Sequence, residues 1–449
     1  MQKKILKFSI LGMVILFLSI TIISCDKDDD PNDSIEEISG FLYTSTNSSA
    51  GNKIIVLERK TDGSVQEMAN SPYATGSAGD AADGDFDTQY ALRIIGDYLL
   101  AVNAGPNPVN STISVFKINR NDGTLTQIDQ NTSEGGTNNM DSHGVRSTSI
   151  AAFENGGTTW VVVGNQHSNP NYQGDPAEDF GIVTASDLRN LAVFTLDQNT
   201  GLLSFNSIGA TYNEGTYGGP TSVEFNSTGT KIAVSTWGVT HFAVDEPDLS
   251  LQNPGRLYIY DFSGGVLSES GMYEEEGVSG NIGLSWSPND NYIYLSNFNL
   301  HSTKEDNSLT VHDGSTAAKV QNFETGSRND EACWTLVSPD NQNLFVASFG
   351  ENVISVFDIN SDGMISKTLD PNFYARGGGL PPGDTKDMYQ TPDGYLYVSG
   401  AFHSHTVSVF TVGAGGALSE ITGSPYEVPS SMGMISTEEA YLGLTGFEK

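Results

Sequence analysis

The sequence predicts an all-β fold: a seven-bladed β-propeller of four-stranded antiparallel blades, its ring closed by the C-terminal strand. Three observations carry this. A short strand pattern recurs seven times, at Lys53–Leu57, Thr112–Phe116, Leu191–Phe194, Arg256–Tyr260, Ser308–His312, Val353–Phe357 and Thr406–Phe410. Turns recur in register with it. Asn121-Asp-Gly123, Asn199-Thr-Gly201 and Ser361-Asp-Gly363 follow the pattern, while Ser287-Pro-Asn-Asp290, Ser338-Pro-Asp-Asn341 and Thr391-Pro-Asp-Gly394 precede it. The chain also has 449 residues, 49 of them Gly, and lacks long amphipathic helical patterns. One core rarely serves more than about 250–300 residues, so a repeat architecture with a period of roughly 50–60 residues fits the length.

The elements follow in order. Residues 1–24 read as a targeting leader, with Lys3, Lys4 and Lys7 ahead of the apolar run Ile10–Ile23. The run ends Ile22-Ile23-Ser24-Cys25, which resembles the lipobox of bacterial lipoproteins and makes Cys25 the expected lipidation site. An uncleaved membrane anchor is the other reading of so apolar a run. Residues 25–39 form an acidic tether expected to be disordered. Its start, Cys25-Asp-Lys-Asp-Asp-Asp30, resembles the surface-export signal of Bacteroidetes lipoproteins. The resemblance implies an outer-membrane lipoprotein exposed at the cell surface, or one facing the periplasm.

Residues 40–449 hold the propeller. Cys333 to Leu369 shows the unit most clearly: CWTLV and NLFVAS around a Ser-Pro-Asp-Asn turn, then VISVFDI, a second turn, and a weak fourth strand. The first unit has only three strands, beginning at Phe41. Its missing inner strand is expected from Ala440–Leu444, which would also leave no open sheet edge.

Net charge is 21 − 55 = −34, so a nucleic-acid partner is not expected, since phosphate binding needs clustered Lys and Arg. With Cys25 in the leader, Cys333 is alone and no internal disulfide is predicted.

Short turns follow strands one and three; long links follow strands two and four. The two sets must therefore lie on opposite ends of the ring, and long loops on a rigid scaffold usually carry function. Six of the seven histidines lie in the long links: His143, His167, His241, His301, His403 and His405. Arg146, Arg328, Arg376 and Lys386 lie there too. Together they suggest a polar cup for an anionic or metal-linked ligand, although polar residues also collect in loops for solubility alone. Candidate ligand-binding residues are His167, Trp237, His241, Arg376, Lys386 and His403. Trp237 and Tyr172 are placed to stack on a sugar ring, whereas Trp286 and Trp334 sit on first strands and belong to the core. Asp80, Asp83, Asp85 and Asp87 put four carboxylates in Gly79–Thr88, a composition that suits calcium or simply a solvated acidic loop. No zinc-binding spacing occurs.

Leu99-Leu-Ala-Val-Asn-Ala-Gly105 with Ile113-Ser-Val-Phe116, then Gly144-Val-Arg146 and Ala332-Cys-Trp334, resemble the seven-bladed lactonase-like (YVTN-type) propeller family, over nearly all of Gly40–Leu444. The family is named for 6-phosphogluconolactonase, and the resemblance implies a lactonase as the possible activity. Its active members share Gly-Pro-Arg-His at the opening of one blade, and a Glu ending that blade's second strand. Here the text is Gly219-Pro220-Thr221-Ser222, and the second strand ends Val234-Ser235-Thr236. The remaining candidates for catalysis are His143, Arg146, Arg328 and Glu331. The expected function is therefore an envelope binding module for a glycan, a small acid or a protein partner. Lactone hydrolysis at a rearranged site, and a purely structural role, are the alternatives.

Overall fold

A computed structural model describes residues 37–81, 88–106, 109–166, 171–172, 189–212, 218–238, 240–241, 254–326, 330–367, 373–375 and 383–449. The leader, Cys25 and most of the tether lie outside these residues. The described chain from Glu37 to Lys449 forms one unit.

Strands pair into seven antiparallel sheets, in chain order and with the first strand innermost in all but blade 1. Blade 2 is built from Leu92–Ile95, Tyr98–Asn103, Thr112–Ile118 and Leu125–Gln127. Blade 3 is Ser147–Asn155, Thr158–Asn165, Asn190–Leu196 and Leu203–Thr211. Blade 4 is Pro220–Phe225, Lys231–Thr236, Arg256–Ser263 and Val266–Glu274. Blade 5 is Val278–Trp286, Tyr292–Leu300, Leu309–Asp313 and Lys319–Phe323. Blade 6 is Ala332–Val337, Asn343–Ser348, Val353–Ile359 and Ile365–Lys367. Blade 7 is Thr385–Gln390, Tyr395–Gly400, Thr406–Val412 and Leu418–Glu420. All seven copies of the repeated pattern fall on third strands.

Blade 1 closes the ring as the sequence predicts, with a later start for the closing strand. Leu442–Glu448 is its inner strand and pairs with Ile38–Ser45, which pairs with Lys53–Lys60. Buried Arg59 reinforces the closure: it pairs with Glu448 of the closing strand and with Asp393 of blade 7, at 2.8 Å. Four of the fourth strands are short because they are broken in two. Tyr73–Ala74, Met140–Asp141, Phe373–Ala375 and Tyr426–Glu427 return to the third strands of blades 1, 2, 6 and 7.

Middle strands are covered on both faces by neighbouring blades, so they read as continuous apolar runs; all six residues of Asn343–Ser348 are buried. The core is accordingly divided among the blade interfaces, with one hydrophobic cluster between each adjacent pair. Four tyrosines latch these interfaces on the short-turn face, Tyr98 among them through the Gln198 carbonyl of blade 3 (3.3 Å). Tyr43 donates to the Gly123 carbonyl of the next blade (2.9 Å), Tyr294 to Gly363 (2.7 Å) and Tyr397 to Gly63 (3.0 Å). Trp286 and Trp334 are core residues, as expected; their indole nitrogens donate to the carbonyls of Glu224 and Thr88.

Candidate functional site on the long-loop face

The ring axis is crossed by a segment with no strand pattern. Thr88 donates from its hydroxyl to the Thr148 carbonyl of blade 3 (2.7 Å). Gln89 donates from its side chain to the Thr335 carbonyl of blade 6 (2.6 Å), and Tyr90 from its hydroxyl to Leu284 of blade 5 (3.0 Å). Tyr90 sits at φ 67°, a left-handed conformation costly for a bulky side chain. Three consecutive residues thus tie the inner strands of blades 3, 5 and 6 together across the middle. The axis is filled at this level, so a ligand site on this face must sit off-axis, above or between blades.

The four catalytic candidates do not assemble among the described residues. Arg146 is buried at the start of blade 3, ion-paired with Asp80, which is also buried. His143 points elsewhere: its ring stacks on Phe205 of the outer strand at 3.7 Å between centroids. Glu331, at φ 58°, precedes blade 6, and its carbonyl accepts from the Phe349 amide (2.9 Å). Arg328 lies outside the described residues. At the opening of blade 4, Thr221 and Ser222 are fully buried, and the Thr221 hydroxyl donates to the Asn281 carbonyl of blade 5 (2.6 Å). The place that carries Arg and His in the resembling enzymes is here a sealed contact between blades.

The binding candidates divide more usefully. Trp237 is not an exposed stacking surface: it is fully buried and packs on Phe298 at 5.2 Å. The long loops of blades 3 and 4 meet as a two-residue parallel pair that sets Tyr172 opposite His241 in register. His167 and Arg376 lie outside the described residues, as do Asp83, Asp85 and Asp87. Asp80, the fourth acid of that loop, is the partner of Arg146. Among the described residues, no three His, Cys, Asp or Glu side chains form a metal-holding group. His405 faces away from His403; its Nε2 bonds the Glu439 carbonyl (2.8 Å).

Lys386 and His403 do come together, in company the sequence did not suggest. The buried carboxylate of Asp384 accepts from the consecutive amides of Phe402, His403 and Ser404 at 2.9, 2.7 and 3.2 Å. This clamp folds the end of a blade 7 strand into a tight turn and fixes its two rings. Phe402 lies against His403 at 4.8 Å and against Phe349 of blade 6 at 6.1 Å. The ammonium of Lys386, rising from the inner strand of blade 7, stands 5.8 Å from the Phe349 ring and 5.9 Å from that of Phe402. Lys386 is buried, the two phenylalanines are half-buried and His403 is exposed. The result is a small aromatic patch backed by a cation.

Beside it lies a buried acid the sequence reading did not single out. Asp330 accepts from the hydroxyls of Thr325 and Ser348, while its other oxygen has no partner. Burial pushes its carboxyl up to about 6, against the pull of those two hydroxyls. Its place beside Glu331 was the only available signal.

No family model and no curated protein sequence matches the chain. Solved structures do. A "putative 6-phosphogluconolactonase" of Bacteroides fragilis superposes with a TM-score of 0.59 at 13% identity, over 92% of this chain and 98% of that one. The periplasmic gluconolactonase of Pseudomonas aeruginosa gives 0.60 at 13% identity, over 91% and 99%. The chain has the fold of the lactonase-like seven-bladed propellers. This is the architecture that its repeats resemble.

Proposed function

We propose that this lactonase-like propeller is a binding module for a small acid or an acidic sugar, received on the patch of Phe349, Phe402 and His403 backed by Lys386. The position of the Lys386 ammonium behind two rings carries the reading. In a chain of net charge −34, a local cation behind apolar ring faces favours a ligand that brings a carboxylate and a ring or chain to lie on the aromatics. The exposed imidazole of His403 supplies a hydrogen bond at the edge. Lactone hydrolysis is the rival, favoured by the names of the similar structures. It needs a base and oxyanion donors around one reacting carbonyl. Against it stand the sealed Thr221–Ser222 contact, the pairing of Arg146 with Asp80 and the remote stacking of His143.

Titration of the purified protein with glucuronate, gluconate and glucose tests the reading. The acids are expected to bind and to raise the melting temperature, and glucose is not. His403→Ala and Phe402→Ala should each weaken the acids, with folding unchanged. Equal binding of glucose, or acid binding that neither substitution alters, would remove the patch from consideration.

The leader supports lipid attachment at Cys25 and, with the acidic run after it, display on the outer surface. Cys25→Ala should release the protein from the membrane fraction, and protease added to intact cells should reach the wild-type chain. Retention of the variant, or full protection of the wild type, counts against each claim in turn.

A further inference from the structure

The short-turn face carries a cavity that the binding patch on the opposite face does not involve. It lies in the cleft between blades 6 and 7 and has a volume of about 380 Å³, within the range of small-molecule sites. The cleft lacks one contact that several other blade interfaces make. In blades 1, 5 and 7 a tyrosine on the second strand reaches across the interface to a glycine carbonyl of the next blade. Aligning Tyr292-Ile-Tyr294, Asn343-Leu-Phe345 and Tyr395-Leu-Tyr397 puts Phe345 in the tyrosine's place in blade 6. Phe345 is fully buried in the interface core and has no hydroxyl to make the latch.

The neighbouring cleft, between blades 5 and 6, holds a cavity of about 300 Å³ although it is latched, so what sets the two clefts apart is their lining. Tyr294 latches it, the Asn289 amide spans it to the Asp362 carbonyl (2.8 Å), and its lining holds no carboxylate.

The unlatched cleft differs in charge. Asp340 and Asp358 line it with the amides of Asn343 and Gln390, and Ile359 supplies apolar surface. No Lys, Arg or His is among the described residues lining it. Asp358 accepts one weak bond from Asn343 (3.3 Å), and the side-chain oxygen of Gln390 is buried without a partner. The cavity therefore offers acceptors and negative charge and calls for donors that carry positive charge. A net charge of −34 raises the local concentration of any such ligand.

We propose that this cleft binds a small organic ammonium ion, its nitrogen on Asp358 and Gln390 and its carbon chain against Ile359. The probe is 1,4-diaminobutane, with butane-1,4-diol as its neutral counterpart, titrated calorimetrically into the purified protein at low salt. Saturable one-to-one binding of the diamine and none of the diol is expected. Asp358→Asn should weaken the diamine about tenfold, the worth of one charged hydrogen bond. Asp362→Asn removes the same charge from a neighbouring turn and should leave binding unchanged. Gln390→Met serves as a second variant should Asp358→Asn fold poorly, with the same loss expected. Equal binding of the diol, no saturable binding, or diamine affinity indifferent to both cavity substitutions overturns the proposal. Binding weakened as much by Asp362→Asn would reduce it to general attraction to an acidic protein. None of these outcomes bears on the acid-binding patch, which different residues form on the other face.

Discussion

The side chain of Gln89 pairs with the backbone of Thr335 across the ring axis. It donates to the carbonyl at 2.6 Å and accepts from the amide at 3.3 Å. Blades 2 and 6 are not neighbours, so this pair braces the ring internally. Gln89→Leu would remove both bonds and leave the buried Thr335 carbonyl only the longer bond from the Ser285 hydroxyl (3.3 Å), a loss of about 1–2 kcal/mol. Urea unfolding should show it as a lower midpoint with an unchanged slope. A variant as stable as the wild type would mean that the brace contributes nothing net.

Closure by the C-terminal strand predicts a larger effect. Deleting residues 436–449 removes the partner of Gly40–Ser45 and one of the two carboxylates held by Arg59. Blade 1 would keep three strands and expose two edges. The expected result is loss of a single cooperative transition, or failure to fold. Unfolding like that of the full chain would show that the ring closes without this strand.

Chemistry at the opening of blade 4 predicts an absence of efficient turnover. Thr221 donates to Asn281 and is sealed from solvent. A hydroxyl is neither a base at neutral pH nor a counter-charge for an oxyanion. Purified protein should hydrolyse 6-phosphogluconolactone little above background. Arg146→Ala should lower stability, since it strands the buried Asp80 carboxylate. Robust turnover abolished by Arg146→Ala in a still-folded protein would reverse this reading.

His312 gives a pH prediction whose sign is fixed by its burial. Its Nδ1 donates to the Ala317 carbonyl (2.9 Å), and its Nε2 lies 2.9 Å from the Thr310 hydroxyl. Burial pulls its pKa down to about 4. The unfolded chain takes up this proton from about pH 6.5 downward and the folded chain does not. The contribution is therefore present above that pH and lost as pH falls towards 4, by about 2 kcal/mol between pH 7 and 5. Asp387 works in the opposite sense. Burial raises its pKa to about 7, so it opposes folding as pH rises from about 4 towards 7. The two partly cancel in the whole protein, so the check is the imidazole shift of His312 by NMR. It should stay neutral at pH 5; titration near 6.5 would contradict the buried geometry.

The architecture was legible because each blade repeats one local code. Val353–Phe357 and its six counterparts announce third strands, and Ser338-Pro-Asp-Asn341 and its relatives announce turns, without reference to the rest of the chain. What escaped the sequence depends on partners far apart in it. Nothing in Thr88-Gln-Tyr90 marks a segment that spans the axis. Arg146 reads as an available cation until the fold places Asp80 against it, and Trp237 reads as a loop residue until Phe298 covers it. The patch around Lys386 left a faint trace: Phe349 and Phe402 each fall at or just past the end of a second strand in consecutive blades. Only the ring brings those two ends together.

The first strand of the chain enters the ring between two others. Ile38–Ser45 lies between Leu442–Glu448 and Lys53–Lys60, and the Thr61 amide holds the Glu37 carbonyl at the short-turn face (3.1 Å). A pull on the chain ahead of Glu37 would act along this strand and load two hydrogen-bond ladders in shear at once, not peel them one bond at a time. The propeller is thus arranged to resist traction on its first strand, which begins on the short-turn side, opposite the aromatic patch.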